Sequence, residues 1–173
     1  VAHLYLETYN LTKKKENLLD FYATMRKYYK EWGYKHYSIG IRVTDALAAL
    51  QKEGMTAEYE TLLSDYTKAA DFFVETGIFY PKHEVNYEQS IVAPAVIFLC
   101  EIYQATKDKK YLDAAKLQLK SLEAFNGRQP DVHLNEIAIR HWDGYWFGKT
   151  KTWGDTMPQY WSTLTAVAFH KYY

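Results

Sequence analysis

The residues most capable of chemistry lie in one stretch near the end of the chain, IRHWDGYWFGKTKTWGDTMPQYW, residues 139–161. It holds four of the five tryptophans, interleaved with one arginine, one histidine, two aspartates and three glycines. Aromatic rings pack against the apolar C–H faces of a sugar, while carboxylates, amides and guanidinium groups bind its hydroxyls. The pattern therefore predicts a carbohydrate site, and the two aspartates make it a candidate for catalysis.

Substrate-binding residues are predicted within this stretch and shortly before it. The rings and polar groups suited to a sugar are Trp142, Tyr145, Trp146, Trp153, Trp161, Arg140 and Asn135. A second stretch, FYPKHEVNYEQS at residues 79–90, also precedes an apolar helix and should open at the same side of the fold. It adds His83, Glu84, Tyr87 and Glu88 as further candidates. The structural alternative is that the tryptophans form the packed interior of a long loop.

Glycoside hydrolysis is the favoured reaction, because it uses a pair of carboxyl groups to protonate the leaving oxygen and to activate water or attack carbon. Asp143 is the predicted general acid, since the ring of Trp142 beside it would favour the protonated form. Asp155 is the predicted base, because it precedes a helix start where the dipole favours a carboxylate. Capping of that helix is the alternative role for Asp155, and Glu136 and Glu84 are weaker carboxylate candidates.

Two other functions remain open on the same residues. A polysaccharide lyase acting on uronate sugars would need a base, for which His141 or Tyr145 would serve. It would also need a cation to neutralise the uronate carboxylate, and Arg140 fits that role. A non-catalytic helical domain that binds sugar or another protein is the third possibility. The sequence does not separate hydrolysis from elimination.

Other partners and cofactors are disfavoured by composition. The formal net charge is zero, with 21 Lys+Arg against 21 Asp+Glu, so no field of one sign would attract nucleic acid or an anionic membrane. No apolar run is long enough to predict membrane insertion. No HExxH spacing, cysteine cluster or phosphate-binding glycine loop is present, so neither a metal nor another cofactor is predicted. The single cysteine, Cys100, lies in an apolar run and is expected to be buried and inert.

The elements that must position these residues form a repeat. Residues 37–77 and 89–127 match at an offset of 52, which places Ser38 on Ser90 and Tyr59 on Tyr111. Each unit has an apolar first helix, a polar turn, an amphipathic second helix and a closing glycine. Thr56 and Asp108 are the predicted N-caps of the second helices. An amphipathic stretch from Lys15 to Trp32, ending at Gly33, predicts an earlier helix of the second type, and no strand pattern competes.

These hairpins, longer than the roughly 34 residues of a tetratricopeptide unit, resemble those of the (α/α) toroids. The segment TKDKKYLDAAKLQLKSL, residues 106–122, is similar to the connection between inner and outer helices in the six-hairpin glycosidases and related polysaccharide lyases. The resemblance implies inner helices that line a funnel, with sugar-binding loops at one mouth. Residues 126–156 would then form a rim loop within an all-α fold of tandem antiparallel hairpins, covering about half of a toroid.

The resemblance also bears on domain organisation. The chain is expected to be a single α/α-toroid domain, residues 1–173, or a fragment of one. Its first stretch reads as part of a first-type helix and its last as a first-type helix with no outer partner to follow, so further polypeptide is expected to complete the ring. A polysaccharide substrate would favour a secreted or cell-surface location.

Overall fold

The computed structural model describes residues 1–37, 40–84, 89–123, 139–142, 145–147 and 159–173. Of residues 89, 139–142, 145–147 and 159–162 it describes the backbone alone. The helices are α1 (Ala2–Thr12), α2 (Lys15–Trp32), α3 (Val43–Lys52), α4 (Thr56–Thr76), α5 (Gln89–Thr106), α6 (Lys109–Glu123) and α7 (Gln159–Tyr172). Two short strands, β1 (Ile139–Trp142) and β2 (Tyr145–Phe147), lie between α6 and α7 in sequence. The predicted all-α architecture of tandem helical hairpins is confirmed.

The helices pack in two layers. Each hairpin joins one helix of each layer, as α1 does with α2, α3 with α4 and α5 with α6. The odd-numbered helices form the inner layer, in which α5 packs against both α3 and α7. The even-numbered helices form the outer layer, in which α4 packs against both α2 and α6. The helices predicted as the first of each hairpin therefore form the inner layer, and those predicted as the second form the outer layer.

Helix α2 shows how the sequence produces an outer helix. Leu18, Phe21, Met25 and Tyr29 recur at intervals of three and four residues, so they share one face of the helix, and all are buried. The helix ends where Gly33 adopts φ 73°, and its N–H donates to the carbonyl of Tyr29. Glycine takes this left-handed conformation without a Cβ clash. Both bounds match the prediction from sequence.

Helix α5 is the centre of the core because neighbours cover it on several sides. Its buried residues do not follow a single stripe, which is the pattern expected of a helix between two inner neighbours and an outer layer. They include Val92, Ala93, Val96, Leu99 and Ile102, each 0% exposed. Among the described residues, no helix combines the length and the apolarity that a bilayer crossing requires.

One buried carboxylate connects three inner helices. Glu101 on α5 is 4% exposed, and its Oε2 accepts hydrogen bonds from the backbone N–H groups of Val43 (2.6 Å) and Thr44 (3.2 Å). These are the first residues of α3, whose own N-cap, Arg42, makes no side-chain capping bond. Oε1 of Glu101 pairs with Nζ of Lys171 on α7 at 2.9 Å. Glu101 therefore caps one inner helix and ties a second to its own.

Three local expectations differ in outcome. Asp108 caps α6, because its Oδ1 accepts the N–H of Lys110 at 3.0 Å. Thr56 does not cap α4, which already includes it; Met55 occupies the N-cap position without a side-chain bond. The repeat aligned Ser38 with a residue inside α5, yet α3 begins only at Val43. The chain turns first at Gly40, whose φ of 78° is incompatible with a right-handed helix.

The predicted inert character of Cys100 can be tested by alkylation. The thiol is 1% exposed, and burial together with the nearby charge of Glu101 raises its pKa to about 12. The thiolate is the nucleophile, so almost none is present at neutral pH. We expect no reaction of the folded protein with iodoacetamide and complete reaction in urea, as measured by mass spectrometry. Equal labelling rates in the two states would contradict the buried position.

Candidate functional site

The described parts of the first two segments that precede inner helices meet at one end of the bundle. Each runs from the end of an outer helix to the start of the next inner helix, and successive hairpins have the same direction. We call residues 33–42, before α3, the first mouth segment and residues 77–88, before α5, the second. The corresponding third segment, residues 124–158, leads to α7 and contains the strand pair. Apart from Trp161, which lies in the first turn of α7, the predicted site residues belong to the second and third of these segments.

The first mouth segment is anchored by Tyr37. Its ring stacks on Phe73 of α4 with centroids 4.0 Å apart and planes 13° apart. Its hydroxyl lies 2.7 Å from Oγ1 of Thr76, and burial raises the pKa of the phenol. Tyr37 also contacts the ring of Tyr80 edge-on at 5.3 Å. The two described mouth segments are therefore packed against each other and against the end of α4.

The second mouth segment is fixed to α6 by buried polar contacts. Tyr80 donates its hydroxyl proton to Oε1 of Gln118, a residue with no exposed surface. Nε2 of Gln118 donates to the carbonyl of Gly77 at the end of α4. Buried hydrogen bonds of this kind are costly to leave unmade, so they hold the segment in one place. A segment that is held in this way can provide a fixed surface for binding.

His36, His83 and Glu84 converge where the two segments meet. One ring nitrogen of each histidine lies 4.0 Å from Oε1 of Glu84, and the imidazole centroids are 5.0 Å apart. The histidine side chains are 37% and 43% exposed, against 14% for Glu84. His83 and Glu84 were predicted as substrate-binding candidates, because they lie in a segment that precedes an apolar helix. His36 was missed, because it lies 47 residues before His83 and no local pattern connects the two.

A cavity of about 370 Å³ lies between the inner helices α3, α5 and α7. Helix α3 is shorter than α5, so residues 40–42 replace its first turns at this point. The lining mixes charged and apolar groups: Arg42, Asp45, Glu101, Lys171, Ile97, Phe98 and Leu164 are among them. The two cations are paired, Arg42 with Glu7 and Asp45, and Lys171 with Glu101. A mixed lining of this kind suits a sugar ring better than a purely apolar ligand.

The strand pair in the third segment was not predicted. β1 and β2 are antiparallel, with Ile139 opposite Phe147 and Trp142 opposite Tyr145. The sequence did carry a signal for it, because Asp-Gly between two short aromatic-rich runs is a strong hairpin pattern. The register is irregular, so Arg140 and His141 on β1 oppose one residue, Trp146, on β2. Such bulges redirect side chains and are common beside active sites.

The positions of the predicted site residues follow from this arrangement. Arg140, His141 and Trp142 lie on β1, Tyr145 and Trp146 on β2, and Trp161 in the first turn of α7. The hairpin therefore brings the arginine, the histidine and the tyrosine of the elimination alternative into one small unit. Seven other predicted residues lie outside the described part of the chain: Asn135, Glu136, Asp143, Trp153, Asp155, Tyr87 and Glu88. Their roles stay predictions.

Comparison with known proteins gives a likeness to a solved structure. No family model matches the chain, and no curated protein matches it. A solved structure, Polysaccharide Lyase BACCELL_00875, superimposes with a TM-score of 0.83 at 51% sequence identity. The match covers 99% of this chain and 26% of that protein, so the chain spans about a quarter of its length. A polysaccharide lyase thus has the same helical-hairpin arrangement, and the likeness does not single out the six-hairpin toroids.

Proposed function

We propose that this chain forms part of the sugar-binding and catalytic region of a polysaccharide lyase that cleaves uronate-containing glycans. The observation that carries the proposal is the likeness over nearly the whole chain to a solved polysaccharide lyase at 51% identity. Glycoside hydrolysis, the reaction favoured from sequence alone, has no comparable support. The elimination alternative now becomes the preferred reaction.

Elimination requires a different set of groups from hydrolysis. A base removes the proton from C5 of the uronate, and the electron pair forms the C4=C5 double bond. The bond from C4 to the glycosidic oxygen breaks, and that oxygen takes up a proton from an acid. Neutralising the uronate carboxylate makes the C5 proton easier to remove, because negative charge accumulates next to it in the transition state. No pair of carboxyl groups is needed, and water takes no part in the bond cleavage.

The rim hairpin, residues 139–147, carries residues of all three types. Arg140 would bind the uronate carboxylate, since a guanidinium group can donate two parallel hydrogen bonds to it. His141 would accept the C5 proton, because a neutral imidazole is an effective base near neutral pH. Tyr145 would donate its phenolic proton to the departing oxygen. The irregular pairing at Arg140 and His141 supports the assignment, because it sets two functional residues opposite a single partner.

The aromatic residues of the same hairpin would hold the polymer. Trp142 and Trp146 provide broad rings for the C–H faces of successive sugars. Trp161 would extend this surface to α7. Asp143 and Asp155 then bind hydroxyls or cap a turn, and neither acts as a general acid. We further propose that other polypeptide packs on α1 and α7, where Leu4, Leu11 and Val167 are 69%, 85% and 38% exposed.

The reaction product distinguishes the three candidate functions. The protein that carries this sequence would be incubated with polymers of glucuronate, mannuronate and galacturonate. Elimination leaves an unsaturated uronate, so we expect new ultraviolet absorption in step with new reducing ends on at least one polymer. New reducing ends without absorption would identify a hydrolase, and binding without cleavage would identify a binding domain. Either of the last two results would overturn the lyase proposal.

A further inference from the structure

The meeting point of the two mouth segments has the composition of a transition-metal site. His36 comes from the first segment, and His83 and Glu84 come from the second. One ligand-type atom from each residue lies within 4.8 Å of the other two. Nδ1 of His36 and Nε2 of His83 are each 4.0 Å from Oε1 of Glu84, which is too far for a hydrogen bond. The three groups therefore converge without bonding directly to one another.

The separations fit a small divalent cation placed between the groups. Zinc bound at about 2.0–2.1 Å in a tetrahedral site holds neighbouring ligand atoms about 3.3 Å apart. The observed separations are 4.0 Å for the two histidine–glutamate pairs and at most 4.8 Å between the histidines, and they close to that value when each side chain shifts by less than about one ångström. All three side chains are partly exposed. Two imidazoles and one carboxylate are the donors found in zinc sites that keep a fourth position open. Calcium and magnesium prefer sets of oxygen ligands.

Surrounding groups already orient the three donors. Nε2 of His83, the ring nitrogen that lies 4.0 Å from Glu84, also lies 2.8 Å from the backbone carbonyl of Lys35, so zinc binding through this nitrogen would replace its hydrogen bond to that carbonyl. Oε1 of Glu84 accepts the N–H of Tyr37 at 3.0 Å. The ring of Trp32 contacts His36 edge-on, with centroids 6.0 Å apart. Contacts with neighbouring groups fix the orientation of ligand side chains before an ion binds.

We propose that His36, His83 and Glu84 bind one Zn²⁺ ion that cross-links the two mouth segments. The ion would restrict the second segment at the point where the chain continues to Tyr87 and Glu88. Its fourth coordination position would be available to water or to an oxygen of a ligand at the mouth. The proposal concerns this cluster alone and stands independently of the lyase reaction.

Zinc binding is measured by calorimetric titration of the chelator-treated protein with Zn²⁺. We expect one ion per chain, and H36N, H83N and E84Q should each weaken its binding by more than about tenfold. The matched control is H170N, which replaces an exposed histidine on α7 and should leave the affinity unchanged. Mg²⁺ should not compete at equal concentration.

Two outcomes would overturn the site. One is failure of the unsubstituted protein to bind Zn²⁺, and the other is undiminished binding by a folded H36N/H83N/E84Q triple variant. If a variant loses its helical circular dichroism, Co²⁺ added to the unsubstituted protein decides the matter. An intense visible spectrum indicates tetrahedral coordination, and a weak octahedral spectrum contradicts the proposal. Zinc binding without any uronate cleavage would refute the lyase proposal and leave the metal site in place.

Discussion

Replacing His141 with asparagine should lower the kcat for uronate elimination by a factor of about 10²–10⁴, the usual contribution of a positioned general base. Asparagine keeps hydrogen-bonding capacity at this position of β1 but cannot accept a proton. Binding to the rings and to Arg140 would persist, so KM should change much less than kcat. The measurement is the initial rate of ultraviolet absorption on the polymer that the protein cleaves.

Two further variants serve as controls for the H141N result. H170N removes an exposed histidine from the last turn of α7 and should retain full activity. D143N should keep activity within about tenfold, because elimination does not need that carboxyl group. Loss of orders of magnitude in D143N, with H141N active, would contradict the assignment of the base to His141 and would place Asp143 in the elimination machinery.

Replacing Glu101 with alanine should lower the free energy of unfolding by about 3 kcal/mol or more. The substitution leaves two backbone N–H groups at the start of α3 without their acceptor and removes the partner of Lys171. Lys171 is 30% exposed, so water compensates part of the lost ion pair. Urea denaturation followed by circular dichroism measures the change.

Graded variants separate the two contributions of Glu101. Glu101→Gln keeps an acceptor for the N–H groups and loses the charge, so we expect a smaller cost of about 1–2 kcal/mol. Glu123→Ala, at the exposed end of α6, is the matched control and should change stability by less than about 0.5 kcal/mol. A cost below about 1 kcal/mol for Glu101→Ala would mean that the carboxylate does not hold the three helices together.

The parts of the fold that could be predicted are those specified within a few residues. The stripe of α2 and the glycine at its end predicted both bounds, because helix periodicity and a left-handed C-cap are local. Asp108 caps α6 through a bond spanning two residues. The prediction failed for Thr56, since a helix can begin one residue earlier without a side-chain cap. The Asp-Gly pair between β1 and β2 is also a local signal, for a β-hairpin, but the helical periodicity of the rest of the chain led to an all-helical prediction.

The candidate site could be predicted only where its residues are neighbours in sequence. The concentration of aromatic and charged groups in residues 139–161 predicted a carbohydrate site in the third mouth segment from the sequence alone. Whether hydrolysis or elimination occurs there depends on how these groups face a substrate. That relation cannot be read from composition. The likeness to a solved lyase changed the preferred reaction, and residue patterns alone had not favoured it.

Periodicity, capping and hydrophobicity act over one or two turns of helix, so they specified a chain of helical hairpins and a buried Cys100. Only the tertiary structure placed His36 beside His83 and Glu84, and Glu101 against both α3 and α7. These contacts join residues 47 or more positions apart. They exist because packing of the helices brings distant parts of the chain together, and no local rule records which distant side chains then meet.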